Sequence, residues 1–179
     1  MYRMIMADPP WLERGAGQCK RGADRHYDLM KTDDIIDLMR DADKWNPAED
    51  CHLWLWVTNN FLPDGLRMMD ALGFRYVTNL AWIKDRMGLG QYLRGQHELC
   101  LFGVRGSAMM PDKRNVPSAV FFCPKGEHSR KPEYVVSFLE RVSPGPRLEM
   151  FARAPRDGWD VWGNQTDKYE LPLLAACAG

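Results

Sequence analysis

Short solid apolar runs alternate along the chain with stripes of helical spacing, and that alternation predicts the architecture. Residues 2–7 are an apolar run closed by Asp8-Pro9-Pro10 and read as a buried strand that must stop there. A helix is expected over 33–42, with Thr32 as N-cap, Asp33 and Asp34 in the first turn and Ile35, Leu38 and Met39 on one face. Leu53-Trp54-Leu55-Trp56-Val57 is a wholly apolar strand, and a helix over 63–72 is closed by Gly73. Strands follow over 76–84 and 98–104, then an irregular stretch through Pro117 and a strand over 119–123. A third helix starts near Pro132, a residue suited to the first helical position. Its core face is Val135, Val136, Leu139 and Val142, and Pro144-Gly145-Pro146 stops it before a last strand over 148–151. Strands alternating with helices predict a three-layer α/β fold: a mostly parallel sheet with helices on both faces. Residues 1–170 read as one domain without repeat or linker, and 171–179 as an apolar tail.

Two segments carry no period. Residues 12–25 and 86–95 are rich in Gly, Lys and Arg and are expected to be mobile loops.

Composition narrows the function classes. A chain of 179 residues that is 45% hydrophobic can bury a full core. Its formal net charge is zero, so contact with nucleic acid has to come from a local basic patch. The five Cys are scattered and never spaced as C-x-x-C, and the four His show no ligand spacing. Reduced cytoplasmic thiols are expected, with neither a disulfide framework nor a metal site. No apolar run approaches membrane-spanning length, so no membrane partner is expected.

The chemistry gathers around Asp8-Pro9-Pro10-Trp11. Neither proline can donate to a ladder, and both restrict the backbone before them. The Asp8 carboxylate and the neighbouring carbonyls are therefore held as acceptors at a strand's C-terminal end, where open α/β sheets bind ligands. Trp11 adds a flat apolar face. Acceptors beside an aromatic plate suit the exocyclic amine of a planar base. The bland alternative, a turn followed by a core Trp, is the weaker reading of so uncommon a tetrapeptide.

Three later segments carry further candidates. Lys131 precedes a helix N-terminus, where free amides, the helix dipole and a full charge favour a carboxylate or phosphate. A solvated basic cap explains those residues equally well. Glu149 and Arg153 flank a strand's C-terminal end, though one such Glu is more often merely exposed. The segment from Gly158 through Trp162-Gly163-Asn164-Gln165 suits gripping a nucleoside, or packing on the core.

In order, Asp8-Pro9-Pro10-Trp11, Trp54-Leu55-Trp56-Val57-Thr58, Trp82-Ile83-Lys84, Gln96-His97-Glu98, Ser129-Arg130-Lys131-Pro132, Leu148-Glu149-Met150-Phe151-Ala152-Arg153 and Trp162-Gly163-Asn164-Gln165 resemble the N6-adenosine methyltransferase family. Its members modify adenine in messenger RNA, with bacterial and phage relatives acting on DNA. The resemblance runs from Met4 to about Gln165. It implies a Rossmann-like, S-adenosylmethionine-dependent methyltransferase fold in permuted order, with the catalytic strand first. Lys131 would hold the cofactor's methionine carboxylate, and Asp8 would lie near its amino group and sulfonium. Arg153, Asn164 and Gln165 would bind ribose and adenine, with Glu149 and Phe151 shaping that wall. Tyr27 matches a tyrosine near the substrate, and Lys84 and Glu98 border it. Family members usually carry a further strand and cofactor contacts upstream of the catalytic strand, whereas this chain begins seven residues before Asp8, so part of the cofactor adenine pocket is expected to be either absent or rebuilt by the C-terminal tail.

The mechanism expected is direct in-line methyl transfer without metal or covalent intermediate. Asp8, Pro9 and Pro10 would present acceptors to the amine, and Trp11 or Tyr27 would stack on the base. A duplex substrate would require the base to be flipped out. Arg14, Lys20, Arg21, Arg25, Arg86 and Arg94 would bind backbone phosphates. The substrate expected is adenine in nucleic acid, DNA ahead of RNA, in the cytoplasm, with a homo- or heterodimer compatible with the chain. The rivals are an N4-cytosine DNA methyltransferase and an inactive nucleic-acid-binding partner subunit.

Overall fold

A computed structural model of the chain describes residues 1–12, 29–88, 92–107, 118–126 and 131–163. Seven strands form one sheet: β1 (Tyr2–Ala7), β2 (Pro47–Val57), β3 (Arg75–Ile83), β4 (His97–Arg105), β5 (Val120–Phe122), β6 (Arg147–Met150) and β7 (Asp160–Trp162). Their order across the sheet is β5-β3-β4-β2-β1-β6-β7. Among the described residues three α-helices flank it: α1 (Thr32–Asp41), α2 (Leu62–Ala71) and α3 (Glu133–Val142). β1, the earliest strand, is thus near the centre, paired in parallel with β2 and β6.

The sheet is mostly parallel, as expected, with one reversal. β4 runs antiparallel to both β2 and β3. The reason is local. A parallel return needs a crossover over the face of the sheet, whereas here the segment leaving β3 is bonded directly to the segment entering β4. The Lys84 N–H donates to the Gln96 carbonyl at 2.8 Å and the Gly88 N–H to the Gly95 carbonyl at 2.6 Å, extending the hairpin past the strand ends.

Side-chain alternation divides the core into two layers. Ile5 and Ala7 on β1, Leu53, Leu55 and Val57 on β2 and Leu101 on β4 pack with Ile35, Ile36 and Met39 of α1 and Met68 and Met69 of α2. The opposite parity, Met4, Met6, Trp54, Trp56, Leu80, Trp82 and Cys100, packs with Val135, Val136, Phe138 and Leu139 of α3. Phe138 joins the face predicted for α3, while Val142 packs at its margin.

The helix ends show how local rules bend to partners. Lys31, not Thr32, occupies the N-cap position of α1 and makes no side-chain cap. Thr32 lies inside the helix and its hydroxyl donates to Asp64 Oδ1 at 2.8 Å, tying α1 to α2. The expected Thr32 cap therefore loses to a tertiary acceptor. Pro132 sits at the N-cap of α3, one residue before the position expected. Gly73 ends α2 as predicted, at φ +81°, a conformation that a Cβ would strain.

Cys51 and Cys100 are buried free thiols. No described helix is long and apolar enough to cross a membrane. The calls on Arg14, Lys20, Arg21, Arg25, Tyr27, Asn164, Gln165 and the tail 171–179 fall outside the described residues.

Candidate active site

The parity that builds the α3-side core also builds the site. Along β1 the stripe Met4, Met6 continues to Asp8; along β3, Leu80 and Trp82 continue to Lys84; on β4 the stripe through Cys100 begins at Glu98. Each stripe therefore closes in a charge at the same sheet edge. Because β4 is reversed, Glu98 reaches that edge from a strand's beginning, whereas Asp8 and Lys84 reach it from strand ends.

Lys131, just before α3, completes the set. Its Nζ lies 2.8 Å from both Asp8 Oδ1 and Oδ2 and 3.3 Å from Glu98 Oε2. Glu98 Oε1 also accepts from Lys84 Nζ. The result is a chain of alternating sign, Asp8–Lys131–Glu98–Lys84. It crosses from β1 to β4 over the intervening β2, which supplies Trp56 as a floor, 5.3 Å from Lys131 Nζ to the ring centroid. Lys84 Nζ likewise stands 4.7 Å from the Trp82 ring. All four charged side chains are largely covered, between 14% and 25% exposed, so their mutual attraction is only partly screened. Burial pushes the Glu98 carboxyl up, but Lys131 and Lys84 outweigh it and hold the group down at about 2. Glu98 is thus ionised throughout the neutral range.

The Asp-Pro-Pro-Trp turn is fixed by its backbone. The Pro9 carbonyl accepts the Trp11 N–H and the Pro10 carbonyl the Met30 N–H, both at 2.9 Å. Trp11 does not offer the free plate expected of it. Its side chain packs into the α1/α2-side core, 6% exposed, on the layer opposite Asp8 and Lys131. Its indole N–H donates to the Trp56 carbonyl at 2.9 Å, and its ring stacks on Phe61 at 5.4 Å. It anchors the turn to β2.

A second cluster lies beside the first. The Glu149 carboxylate accepts from Arg156 Nε at 2.9 Å, and the same guanidinium pairs with Glu133 in the first turn of α3. Burial raises the Glu149 pKa against the pull of Arg156. Glu149 is thereby committed to a bridge between β6 and α3, a contact the sequence reading missed. Phe151 follows β6 in the left-handed region at φ +62°, a strain of about 1 kcal/mol for a residue with a Cβ. Its ring meets Trp162 edge-on at 5.7 Å. Gly163 follows Trp162, and a Cβ there would approach the Ala152 carbonyl oxygen to 2.5 Å. Gly158 through Gly163 is accordingly partly sheet: Asp160–Trp162 is β7, paired with β6. Arg153 stands two residues beyond Phe151 at that same edge.

Arg86 and Arg94 occupy the β3–β4 hairpin. Arg86 is 85% exposed. Arg94 is exposed, and its Nε donates to the Gly88 carbonyl at 3.0 Å, so it braces the hairpin. Trp56, Arg156 and Glu133 were not singled out from sequence. Trp56 lay within a quoted motif, but nothing in the spacing of Glu133, Glu149 and Arg156 marks them as partners.

Burial pushes the Cys51 thiol up to about 12 and Cys100 well above its ordinary value, so neither supplies a thiolate at neutral pH. Among the described residues no group of three or more His, Cys, Asp or Glu could hold a metal ion.

A central strand ending in an acidic-Pro-Pro turn, with a Lys at the entrance to the helix packed across it, is the arrangement of a Rossmann-like α/β methyltransferase. The MT-A70 family matches residues 2–165, nearly the whole chain, and the protein belongs to that family. It is 33% identical to a putative N(6)-adenosine-methyltransferase MT-A70-like protein of Medicago truncatula, over 95% of this chain and 27% of that protein. It is 29% identical to the human N(6)-adenosine-methyltransferase catalytic subunit METTL3, over 95% of this chain and 29% of that one. The Type II methyltransferase M.MunI of a Mycoplasma species is 28% identical, over 96% of this chain and 81% of its own. The chain thus spans about a quarter of the plant relative and most of M.MunI.

Proposed function

We propose that the protein transfers a methyl group from S-adenosylmethionine to the N6 amine of adenine in nucleic acid, with DNA ahead of RNA. The observation that carries this reading is the Asp8–Lys131 pair at the end of the central strand, in a chain of the MT-A70 family. The Type II methyltransferase match over most of that relative's length supports the preference for DNA.

The described residues fit the charged end of the cofactor. A carboxylate and an ammonium held 2.8 Å apart are complementary to an amino acid's ammonium and carboxylate. Lys131 would take the carboxylate and Asp8 the ammonium, each exchanging an internal partner for one on the ligand. The bound cofactor supplies an electrophilic methyl group. Glu98 keeps Lys131 charged and placed during the exchange, because it holds the same Nζ from the far side.

The adenine amine is a weak nucleophile because its lone pair is delocalised into the ring. Asp8 accepts one of its protons in hydrogen bond, and the second lone pair of the Pro9 carbonyl accepts the other. Both draw the nitrogen towards the tetrahedral geometry of attack. The two prolines hold these acceptors in place before substrate arrives, so little reorganisation is left for the reaction itself. Trp11 serves from behind by locking the turn to β2.

The test is nucleoside mass spectrometry of DNA and RNA incubated with the protein and labelled cofactor. Labelled N6-methyladenine is the expected product. Labelled N4-methylcytosine would replace the base assignment. No product, together with no thermal shift on adding cofactor, would identify an inactive partner subunit.

A further inference from the structure

The segment between β6 and β7 grips α3 at two points. Arg156-Asp157-Gly158-Trp159 is a tight turn. The Trp159 N–H donates to the Arg156 carbonyl at 3.2 Å, and Gly158 takes φ +74°, a left-handed conformation that glycine supplies at the third position of such a turn. Both ends of the turn reach the helix. The Arg156 guanidinium pairs with Glu133, and the Trp159 indole N–H donates to Glu140 Oε1 at 2.8 Å. Glu133 and Glu140 are seven residues apart, close to two helical turns, so they lie on one face of α3. Arg156 also stands over the Trp159 ring, 5.9 Å from Cζ to the centroid, so the two grips support each other.

The other arm of Arg156 goes to the sheet, where its Nε donates to Glu149 Oε2 at 2.9 Å. Glu149 is paired with Met6 across β1 and β6, so its side chain shares a face with Asp8, two residues beyond Met6. Glu133 stands two residues after Lys131. One guanidinium thus ties a neighbour of Lys131 to a neighbour of Asp8, and all three side chains of the bridge are largely covered. A rigid planar fork can hold two carboxylates at a set separation, which an ammonium on a flexible stem cannot do. Without Arg156 the Trp159–Glu140 bond still holds the far half of α3, so the first turn of the helix is the part that gains freedom.

We propose that Arg156 is a positioning residue for cofactor binding: by clamping Glu133 to Glu149 it sets the spacing between Lys131 and Asp8 at which the amino-acid end of S-adenosylmethionine fits. The inference rests on the cofactor reading above. It adds a residue that acts through its two carboxylate partners rather than on the ligand itself.

The experiment uses two ligands in calorimetry: S-adenosylhomocysteine, which carries the amino-acid end, and methylthioadenosine, which lacks it. The proteins are the full-chain parent, Arg156→Met, Arg156→Lys, Glu133→Ala, Lys131→Met and the Arg156→Met, Lys131→Met double variant, each with its melting temperature. Arg156→Met is expected to weaken S-adenosylhomocysteine by about 3- to 30-fold, within the coupling range of residues in one ion-pair network. Methylthioadenosine should bind it as it binds the parent. Glu133→Ala should shift the same ligand in the same direction, and Arg156→Lys should restore only part of the loss. Once Lys131 is Met, removing Arg156 should cost nothing further, because its effect passes through Lys131. Equal losses for the two ligands would make Arg156 a general support of the fold and overturn the proposal. Parental S-adenosylhomocysteine affinity in Arg156→Met and Glu133→Ala would overturn it too, and if Arg156→Met does not fold, Glu133→Ala decides with the same two ligands. A parent that binds both ligands equally, or neither, would instead reject the Lys131–Asp8 cofactor reading, and the proposal would fall with it.

Discussion

The two ends of α3 treat buried polar groups in opposite ways. Before the helix, Lys131 joins Asp8 and Glu98 in a chain of full charges. After it, Ser143 joins a neutral set: its hydroxyl meets His52 Nδ1 at 2.8 Å and accepts the Trp54 indole N–H at 2.9 Å. His52 is buried with no carboxylate partner described, and its Nε2 finds no acceptor among the described residues. Burial, reinforced by the charge of Arg3, lowers its pKa to about 4. Glu98 also suffers burial but has two ammonium partners, and it stays ionised to about pH 2. Burial alone neutralises a group; burial with fixed counter-charges keeps it ionised. Charge is retained in the buried groups at the end of the sheet where a charged ligand is proposed to bind, whereas His52 is kept neutral at the other.

The contrast breaks most visibly at Asp8. Asp8→Asn replaces an acceptor with a donor facing the substrate's own donors, and Asp8→Ala removes the contact. Both are expected to lower single-turnover methylation by at least ~100-fold, the scale of one preorganised transition-state contact. Melting temperatures should move little, because Glu98 still holds Lys131. A folded Asp8→Asn protein that methylates near the parental rate would end the proposed mechanism.

At the neutral end the effect is on stability. Between pH 6.5 and about 4 the unfolded chain protonates at position 52 and the folded chain does not, so stability falls as the pH is lowered through that window. The full difference is roughly 3 kcal/mol. His52→Gln should remove that part of the slope, read from denaturant melts at pH 7, 5.5 and 4. An unchanged slope would mean that His52 titrates normally.

Lys131→Met keeps an apolar stem over Trp56 and removes the charge. Cofactor affinity should fall about 10- to 100-fold, the range for a hydrogen bond to a charged group. Cofactor affinity unchanged by calorimetry, with activity reduced, would reject the carboxylate role of Lys131. Glu98 supplies the counterpart to His52 in a separate window. Its depressed pKa gives stability that is complete above pH 4.5 and lost as the pH falls towards about 2. Glu98→Gln should flatten the acid limb there and leave the limb above pH 4.5 unaltered. The smallest effect is expected at Arg86: Arg86→Ala should reduce the slope of log affinity against log salt by about 1. A salt-independent parental affinity would remove phosphate contacts from the account altogether.

Much of this was already written in the chain. Period and parity determined the strands and helices, because burial on one face of a sheet leaves no freedom about which residues turn inward. Two prolines after Asp8 determined that a strand ends there. The ordered motifs named the family, and Lys131 and Glu98 were among their residues. Tertiary structure decided the rest. That β4 runs backwards, and so brings Glu98 to the Asp8 edge, depends on a hairpin closing rather than a crossover forming. That Lys131 spans β2 to join two carboxylates depends on where α3 lies across the sheet. Trp11 and Asp8 are three residues apart yet serve opposite layers, and Glu149 is taken by an Arg seven residues on. Local sequence specifies which groups are available and which face they occupy. The partner each one finds is set by long-range packing, which brings distant segments to within 3 Å of one another and has no period to betray it.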